Sequence, residues 1–159
     1  MVSQSKNSPE VSGAKADFYV GPNGPSATLP TTGYRYMDSS HAGQTISSGE
    51  APLSYFGFNE FRSGREVRDA YQIYYKAGDP NSWSDARLMG QFDTLQLFDT
   101  NGVPRVEVPK ERGGKGPELE PFATSYPEYG QGGERQLKPS ERIWVRFEQI
   151  QLLPESRND

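Results

Sequence analysis

GQFDTLQLF, residues 90–98, is the stretch that says most about the fold. Apolar side chains occupy both alternating sets of positions, with Phe92 and Phe98 on one set and Leu95 and Leu97 on the other. A strand that is half exposed would keep its apolar residues on one set only. We therefore predict a β-strand that is buried on much of both faces.

The segments on either side of this strand predict the remaining elements. Residues 99–102 read Asp-Thr-Asn-Gly, which is typical of a tight turn, and residues 103–108 would return as an edge strand because they contain Pro104. Further strands are predicted at residues 17–20, 34–37, 53–58 and 142–150. The spacing Ser63-x-x-Glu66 predicts the start of a helix that runs to about Tyr74.

A second short helix is predicted at residues 84–88, and loops at 21–33, 38–52 and 109–116. About six short strands and one or two helices indicate an α+β domain built on antiparallel sheet. Residues 1–16 are polar and aperiodic, which predicts a linker or a disordered arm. We assign residues 17–153 to a single domain and residues 154–159 to a tail.

Composition sets the limits of function. The 159 residues suit one domain, and aromatic residues reach 12% although only 33% are apolar, which favours a folded, aromatic core. The chain has no cysteine and one histidine, His41, so thiolate chemistry is excluded and a histidine-based zinc site or general base is disfavoured. We predict no metal site, although carboxylate-bound magnesium stays compatible with the composition.

Charge and hydropathy bear on partners. The net charge of -4 argues against broad electrostatic binding of nucleic acid, although a local basic patch is allowed. No apolar run approaches the roughly 18 residues that cross a bilayer, so no membrane association is predicted. Residues 1–16 lack the hydrophobic centre of a signal peptide.

The segment GKGPELEPF, residues 114–122, carries two candidate catalytic carboxylates. In extended backbone Glu118 and Glu120 would share one face while Leu119 points into the core. Two carboxylates at one site raise the proton affinity of at least one and suit a cationic transition state. The alternative is a charged, solvated edge strand. Pro117 and Pro121 restrict the backbone here, whereas the glycine-rich residues 112–116 are expected to be mobile.

Two other segments carry candidate binding residues. Arg35 lies between Tyr34 and Tyr36, where a guanidinium could hold a pyrophosphate beside an aromatic wall. The alternative is a surface arginine between core tyrosines. Residues 54–56, Ser-Tyr-Phe, offer a hydroxyl that could orient a carboxylate and a ring that could stack on a heterocycle. The alternative there is ordinary core packing.

Taken in order, these motifs carry a resemblance. Tyr34-Arg35-Tyr36, SYFGF at 54–58 and ELE at 118–120 resemble the arginine, serine-aromatic and Glu-x-Glu signatures of bacterial ADP-ribosyltransferases. Together with ADFYVGPNGP at 16–25, TGYRYM at 32–37, GQFDTLQLF and ELEPFATSYPEYGQGG at 118–133, they look like the TreTu-type toxin domains at the C-termini of Rhs polymorphic toxins. The resemblance covers roughly residues 16–152. It implies split antiparallel β-sheets with one or two short helices.

The resemblance also implies an activity. Members of this family cleave the nicotinamide–ribose bond of NAD and transfer ADP-ribose to a target. Glu120 would accept a hydrogen bond from the ribose and face the developing positive charge, and Glu118 would align or deprotonate the acceptor. The implied catalytic residues are Glu120, Glu118 and Arg35, and the implied NAD-binding residues are Arg35, Tyr36, Ser54, Tyr55 and Phe56.

Within that set, Arg35 would bind a phosphate of NAD, Ser54 would orient Glu120, and Tyr55 or Phe56 would stack on nicotinamide. Arg112 and Lys115 would touch either phosphate or the target. Better-known relatives have Ser-Thr-Ser where this chain has Ser-Tyr-Phe, so the role of Ser54 departs from the family pattern.

The implied partners are elongation factor Tu as acceptor and a cognate immunity protein that plugs the NAD cleft. The domain would be delivered into the cytoplasm of a target bacterium as part of a larger Rhs protein, by type VI secretion, and would block translation. Three alternatives stay open: transfer to structured RNA, which the acidic charge disfavours, NAD glycohydrolase activity, and an inert β-rich binding module.

Overall fold

The computed structural model describes residues 19–21, 24–26 and 29–157 and shows a mixed α+β architecture. The strands are β1 Tyr19–Gly21, β2 Gly24–Ser26, β3 Thr32–Met37, β4 Glu50–Pro52, β5 Leu88–Asp93, β6 Val106–Glu107, β7 Lys138–Pro139, β8 Trp144–Arg146 and β9 Gln149–Leu152. The helices are α1 Ala42–Ser48, α2 Gly64–Tyr71 and a four-residue turn, α3 Glu111–Gly114. Single 3-10 turns cover Ser39–His41, Thr94–Leu97 and Pro127–Tyr129. The predicted arm, residues 1–16, and the strand start at 17–18 lie outside the described residues.

Strand β5 is the centre of the fold. It pairs antiparallel with β3 on one side and with β9 on the other. Leu88, Met89 and Phe92 are each 0% exposed, and each packs into a different hydrophobic cluster. The predicted strand with two buried faces is therefore confirmed at this position.

The strand ends earlier than its sequence pattern predicts. Asp93 accepts a hydrogen bond from Leu95 N at 2.9 Å, and this side-chain cap begins the 3-10 turn Thr94–Leu97. The extension of the strand to residue 98 was wrong, because a local aspartate cap competes with the sheet for backbone donors.

The largest hydrophobic cluster lies on one side of β5. Its buried members are Leu29, Leu53, Phe56, Phe92, Leu97, Phe98, Val106, Leu137, Ile143 and Val145. Rings meet edge to face inside it, with 5.5 Å between the centroids of Phe56 and Phe92. The second cluster includes Tyr36 of β3, Val67 of α2 and Met89 of β5, so it joins α2 to the sheet.

Small two-stranded sheets complete the architecture: β1 with β2, β4 with β8, and β6 with β7. The turn at 99–102 is confirmed by a hydrogen bond from Gly102 N to Asp99 O at 3.0 Å. Within the predicted return strand at 103–108, Pro104 bridges Phe98 and Arg105 N donates to Leu97 O at 2.8 Å, whereas residues 106–107 form β6, which pairs with β7 instead. The antiparallel, multi-sheet character was predicted, but several pairings were not.

Four further predictions of secondary structure were wrong. The loop at 21–33 contains β2 and the start of β3, and the loop at 38–52 contains α1 and β4. The strand at 53–58 is reduced to bridges at residues 56 and 57. The strand at 142–150 is split into β8 and β9, because Phe147 N and Glu148 N bond to Gly49 O and Gln91 O.

The helix predicted at 84–88 was wrong: residues 84–87 form no regular element, with Ala86 in the left-handed region at φ 56°, and Leu88 begins β5. Asp85 is buried, and its carboxylate accepts hydrogen bonds from Ser39 N at 2.9 Å and from Arg87 N at 3.2 Å. The bond from Ser39 is tertiary and the bond from Arg87 is a local turn of the backbone, and together they override helical propensity.

Helix α2 begins where the capping-box spacing predicts. Ser63 Oγ accepts from Glu66 N at 3.2 Å, and Glu66 Oε1 accepts from Arg62 N at 2.9 Å. Gly64 N and Arg65 N donate to Pro154 O and Glu155 O, both at 2.9 Å. The first-turn donors, which no helix satisfies internally, are thus paired, and residues 154–155 contact the helix start. The helix ends at Tyr71, not at Tyr74.

We expect Ser63→Ala to lower the free energy of unfolding by about 1 kcal/mol, because it leaves Glu66 N without its acceptor. Ser63 is 1% exposed, so water does not replace the lost oxygen. Urea unfolding followed by circular dichroism measures the change. Ser63→Thr keeps the hydroxyl and is the control, and equal losses in both variants would contradict a capping role.

Within the described residues, no helix combines the length and the apolar character that a membrane crossing requires.

Candidate functional site

A cavity of about 490 Å³ opens between β3, the C-terminal half of α2 and the chain from Arg112 to Tyr126. Its size lies within the range of pockets that hold small ligands and cofactors. Its wall is rich in rings: Tyr36, Tyr55, Tyr71, Trp83 and Tyr126. Three cationic residues and one acidic residue also line it: Arg35, Arg112, Lys115 and Glu120.

Glu120 is the best organised charge in this wall. Its side chain is mostly buried, at 8% exposure, and Oε2 accepts hydrogen bonds from Thr124 N at 2.6 Å and Ser125 N at 2.7 Å. Oε1 takes no hydrogen bond from the described residues. One carboxylate oxygen of this cavity-lining residue is therefore fixed by backbone amides.

Backbone contacts hold Glu120 in place. Glu120 N donates to Pro109 O at 2.7 Å, and Gln136 Nε2 donates to Glu120 O at 3.1 Å. The carboxylate is thus positioned from three segments of the chain, which is the preorganisation that electrostatic catalysis requires.

Glu118 and Leu119 do not follow the predicted pattern. Leu119 is 63% exposed, so its predicted place in the core is wrong. Glu118 is exposed and does not line the cavity. The segment forms one bridge, between Lys110 and Leu119, and Glu111 N donates to Glu118 O at 2.9 Å. The two carboxylates therefore do not share one site: Glu120 lies in the cavity wall and Glu118 lies in solvent.

Arg35 and Glu120 line the same cavity, as the sequence interpretation requires. Arg35 Nη1 donates to Tyr36 O at 2.8 Å and Nε to Pro52 O at 3.3 Å, and no carboxylate among the described residues pairs with it. Burial lowers the pKa of Arg35 to about 10, so the guanidinium stays charged at neutral pH. Among the described residues, only carbonyl oxygens compensate this cation.

A second, smaller cavity of about 210 Å³ also has Arg35 and Pro52 in its wall, together with His41 and Trp144. Arg35 therefore lies between the two spaces. Its hydrogen bond to Pro52 O engages part of the guanidinium on the side of the smaller cavity.

Residues 54–56 divide between the cavity and the core. Tyr55 lines the cavity and is 39% exposed. Phe56 is 1% exposed inside the large hydrophobic cluster, so its predicted stacking on nicotinamide is wrong. Ser54 does not line the cavity, and Glu120 takes its hydrogen bonds from Thr124 and Ser125 instead. Alternation along this segment places Tyr55 and Phe56 on opposite faces.

Tyr36 contributes a buried wall. Its hydroxyl donates to Asn59 O at 2.9 Å and accepts from Phe61 N at 2.8 Å. Burial raises the pKa of this hydroxyl above its usual value. Tyr36 is therefore a neutral, fixed surface of the cavity and not a titrating group.

The sequence interpretation missed several lining residues: Tyr71, Gln72, Trp83, Tyr126 and Gln136. Gln72 is buried in the left-handed conformation at φ 60° and accepts from Tyr126 N at 2.8 Å, which ties α2 to the cavity wall. Local pattern carries no signal for such a residue. Trp83 and Tyr126 did carry one, because they are large rings in polar loops.

Tyr71 has an unusual environment. Its hydroxyl is buried without a hydrogen-bond partner among the described residues, and burial raises its pKa well above the usual value. The hydroxyl lies against Gly57, where a side chain would not fit. Gly57 is thus required by close approach of the tyrosine.

Exposed rings form a rim on one side of the cavity. Trp83 is 56% exposed and meets Tyr126 at 5.9 Å and Tyr129 at 6.1 Å between ring centroids. Tyr126 and Tyr129 stack at 6.0 Å. This aromatic rim offers planar surfaces to a heterocycle that enters the cavity.

Glu134 lies behind this wall and carries a shifted pKa. It is buried, accepts from Asn59 Nδ2 at 2.6 Å, and has its pKa raised chiefly by burial. A carboxyl whose folded pKa lies above the unfolded value binds more protons when folded. Stability then falls as the pH rises through the window between the two values.

We expect Glu134→Gln to remove that pH dependence, because the amide keeps the shape but carries no charge. The Tm of the variant minus the Tm of the wild type should increase as the pH rises from 4 to 7. Thermal unfolding across this range measures the difference, with exposed Glu128→Gln as the control for removal of an acid. A gap between variant and wild type that stays constant with pH would disprove the assignment.

In the part of the chain that the structure describes, no group of three or more His, Asp or Glu residues is placed to hold a metal ion. Comparison of the chain with protein-family models, with curated proteins and with solved structures finds no significant match. The function is therefore inferred from the chemistry of the cavity.

Proposed function

We propose that this chain is an NAD-dependent mono-ADP-ribosyltransferase, with the fold and role of a TreTu-type toxin domain. The observation that carries the proposal is Glu120, which lines a ring-rich cavity and has one oxygen fixed by two backbone amides while the other takes no hydrogen bond from the described residues. A fixed carboxylate is the group that a ribosyl cation needs beside it.

The reaction assigns each group a task. The bond between ribose C1′ and the nicotinamide nitrogen breaks, its electron pair leaves with neutral nicotinamide, and positive charge develops on the ribose. Glu120 stabilises that charge and accepts a hydrogen bond from a ribose hydroxyl. The acceptor nucleophile then bonds to C1′ and gives up its proton to a base or to water.

The charges of the cavity suit a dinucleotide. NAD carries two phosphate charges, and three cations line the cavity against one carboxylate. Tyr55 and the aromatic rim of Trp83, Tyr126 and Tyr129 supply surfaces for the planar nicotinamide or adenine. Arg35 contributes positive potential, and Tyr36 shapes the wall.

Glu118 suits a role in the second half of the reaction. It is exposed beside the segment that carries Glu120, where a macromolecular acceptor would approach. In this proposal it aligns or deprotonates the acceptor and takes no part in breaking the nicotinamide bond. Elongation factor Tu is the proposed acceptor because the resemblance implies it, and the net charge of -4 favours a protein over an RNA.

The biological setting extends the proposal. Delivery into a target bacterium as part of an Rhs protein, a block of translation, and an immunity protein that occupies the cavity all follow from the resemblance. A partner that inserts a side chain between the aromatic rim and Glu120 would exclude NAD.

One observation favours a second candidate, an NAD glycohydrolase. Glu120 is the single carboxylate among the residues that line the cavity, and Glu118 lies outside it. Water would then be the acceptor, and free ADP-ribose would be the product.

Incubation of the chain with NAD labelled in the adenylate half, in a bacterial lysate, tests the proposal. Label on a protein band the size of elongation factor Tu is the expected result. Nicotinamide release without a labelled macromolecule would select the glycohydrolase, and label on nucleic acid would change the acceptor class. If neither nicotinamide release nor a labelled macromolecule is detected, the cavity is that of a binding module and the proposal is overturned.

A further inference from the structure

The turn that carries Arg112 has a strained backbone. Arg112 lies in the left-handed region, with φ 52° and ψ 47°, and is followed there by Gly113 at φ 66° and Gly114 at φ 92°. Glycine adopts this conformation without penalty, whereas an L residue with a Cβ does not. The chain has glycine at two of three successive left-handed positions and arginine at the first. An outlier of this kind beside a cavity indicates a role for the side chain.

Hydrogen bonds tie this turn to Glu120. Arg112 N donates to Ser125 Oγ at 2.8 Å, and Ser125 N donates to Glu120 Oε2 at 2.7 Å. Gly116 N bonds to Glu111 O at 3.0 Å and closes the turn on itself. Ser125 therefore sets the position of Arg112 relative to the carboxylate, and the segment expected to be mobile is a hydrogen-bonded turn.

Within the described residues, no side-chain hydrogen bond engages the donors of Arg112 or Lys115, whereas those of Arg35 are partly used. Arg35 gives two of its donors to carbonyl oxygens. Arg112 has one long ion pair, to Glu111 at 3.6 Å, and its side chain is 59% exposed. Lys115 is exposed and has no ion pair within the described residues. Both line the cavity.

We propose that Arg112 and Lys115 form a phosphate subsite that takes the pyrophosphate of a nucleoside diphosphate. The sequence interpretation assigned this role to Arg35 and left Arg112 and Lys115 to contact either phosphate or the target. Arg112 lines the cavity, and its guanidinium fork can bind a phosphate through two parallel hydrogen bonds. Lys115 adds a point charge from the same turn. The inference deepens the proposed function and rests on it for the identity of the dinucleotide.

Calorimetric titration of the chain with ADP and with adenosine tests the subsite directly. Wild type should bind ADP more tightly than adenosine. The double variant Arg112→Ala/Lys115→Ala should lose about tenfold or more in ADP affinity, since charge-assisted bonds to both cations disappear, and little in adenosine affinity. Arg142→Ala/Lys76→Ala removes the same charge from exposed residues outside the cavity and should retain the ADP preference.

Arg112→Gly separates binding from stability. Glycine relieves the left-handed strain, so the Tm should rise while ADP affinity falls. A merely structural role for Arg112 predicts a higher Tm with unchanged affinity, and that result would overturn the proposal. Equal binding of ADP and adenosine by the wild type, or no binding of either, would overturn it as well.

The experiments can reject the proposed subsite and the proposed enzymatic activity separately. Loss of the ADP preference in the double variant, without NAD cleavage by the wild type, supports the subsite and rejects the transferase. Cleavage of NAD with an ADP preference that the double variant retains supports the transferase and rejects the subsite.

Discussion

Glu120→Gln is expected to slow the release of nicotinamide from NAD on the order of 10²-fold or more, with little change in folding. The amide removes the negative charge that faces the ribosyl cation. Its carbonyl oxygen can still accept the hydrogen bonds from Thr124 N and Ser125 N that Oε2 accepts now. The loss should therefore appear in the chemical step and not in the position of the side chain.

Single-turnover release of nicotinamide measures the effect, and thermal unfolding shows that the fold is retained. Glu148→Gln is the matched control, because Glu148 is exposed and does not line the cavity, so the same charge change should leave the rate unaltered. A Glu120→Gln protein that cleaves NAD at the wild-type rate would remove the central support of the proposed function.

Phe92→Ala is expected to lower the free energy of unfolding by about 3–5 kcal/mol, the cost of deleting a fully buried ring and leaving a cavity. Phe92 is 0% exposed, and its ring centroid lies 5.5 Å from that of Phe56 and 6.3 Å from that of Phe147. The ring also packs against Gly33 of β3, where a side chain would collide with it. Collapse around the deletion is restricted, because β3 and β5 are paired along their whole length.

Urea unfolding of both proteins measures this loss, provided the midpoint changes without a change in slope. Leu152→Ala in β9 is the control in the same sheet, since Leu152 is 49% exposed and should cost far less. Equal losses at the two positions would show that β5 is not the centre of the core.

Local sequence was sufficient where neighbouring residues supply the physical cause. The start of α2 was predicted, because Ser63 and Glu66 satisfy donors within one helical turn. The two-faced burial of β5 was predicted from its apolar pattern, and the turn at 99–102 from its Asn-Gly. Segments 84–88 and 142–150 were misassigned, because partners distant in the chain decide their hydrogen bonds.

The candidate site shows the same division. Arg35, Tyr55 and Glu120 were named from their chemistry and lie around one cavity. Phe56 was misplaced, because a stacking ring and a core ring look alike in a single sequence. Gln72 and Gln136 were missed, because an amide becomes a site residue only through what it contacts.

Sequence alone determined the class of this protein: an α+β chain without thiol chemistry and with a central strand that is buried on both faces. Tertiary structure decided that Glu120 lies in the cavity wall while Glu118 lies in solvent, and that Arg112 and Lys115 line the same cavity. The reason is that residue type sets what a group can do, whereas burial and hydrogen-bond partners come from segments far apart in the chain.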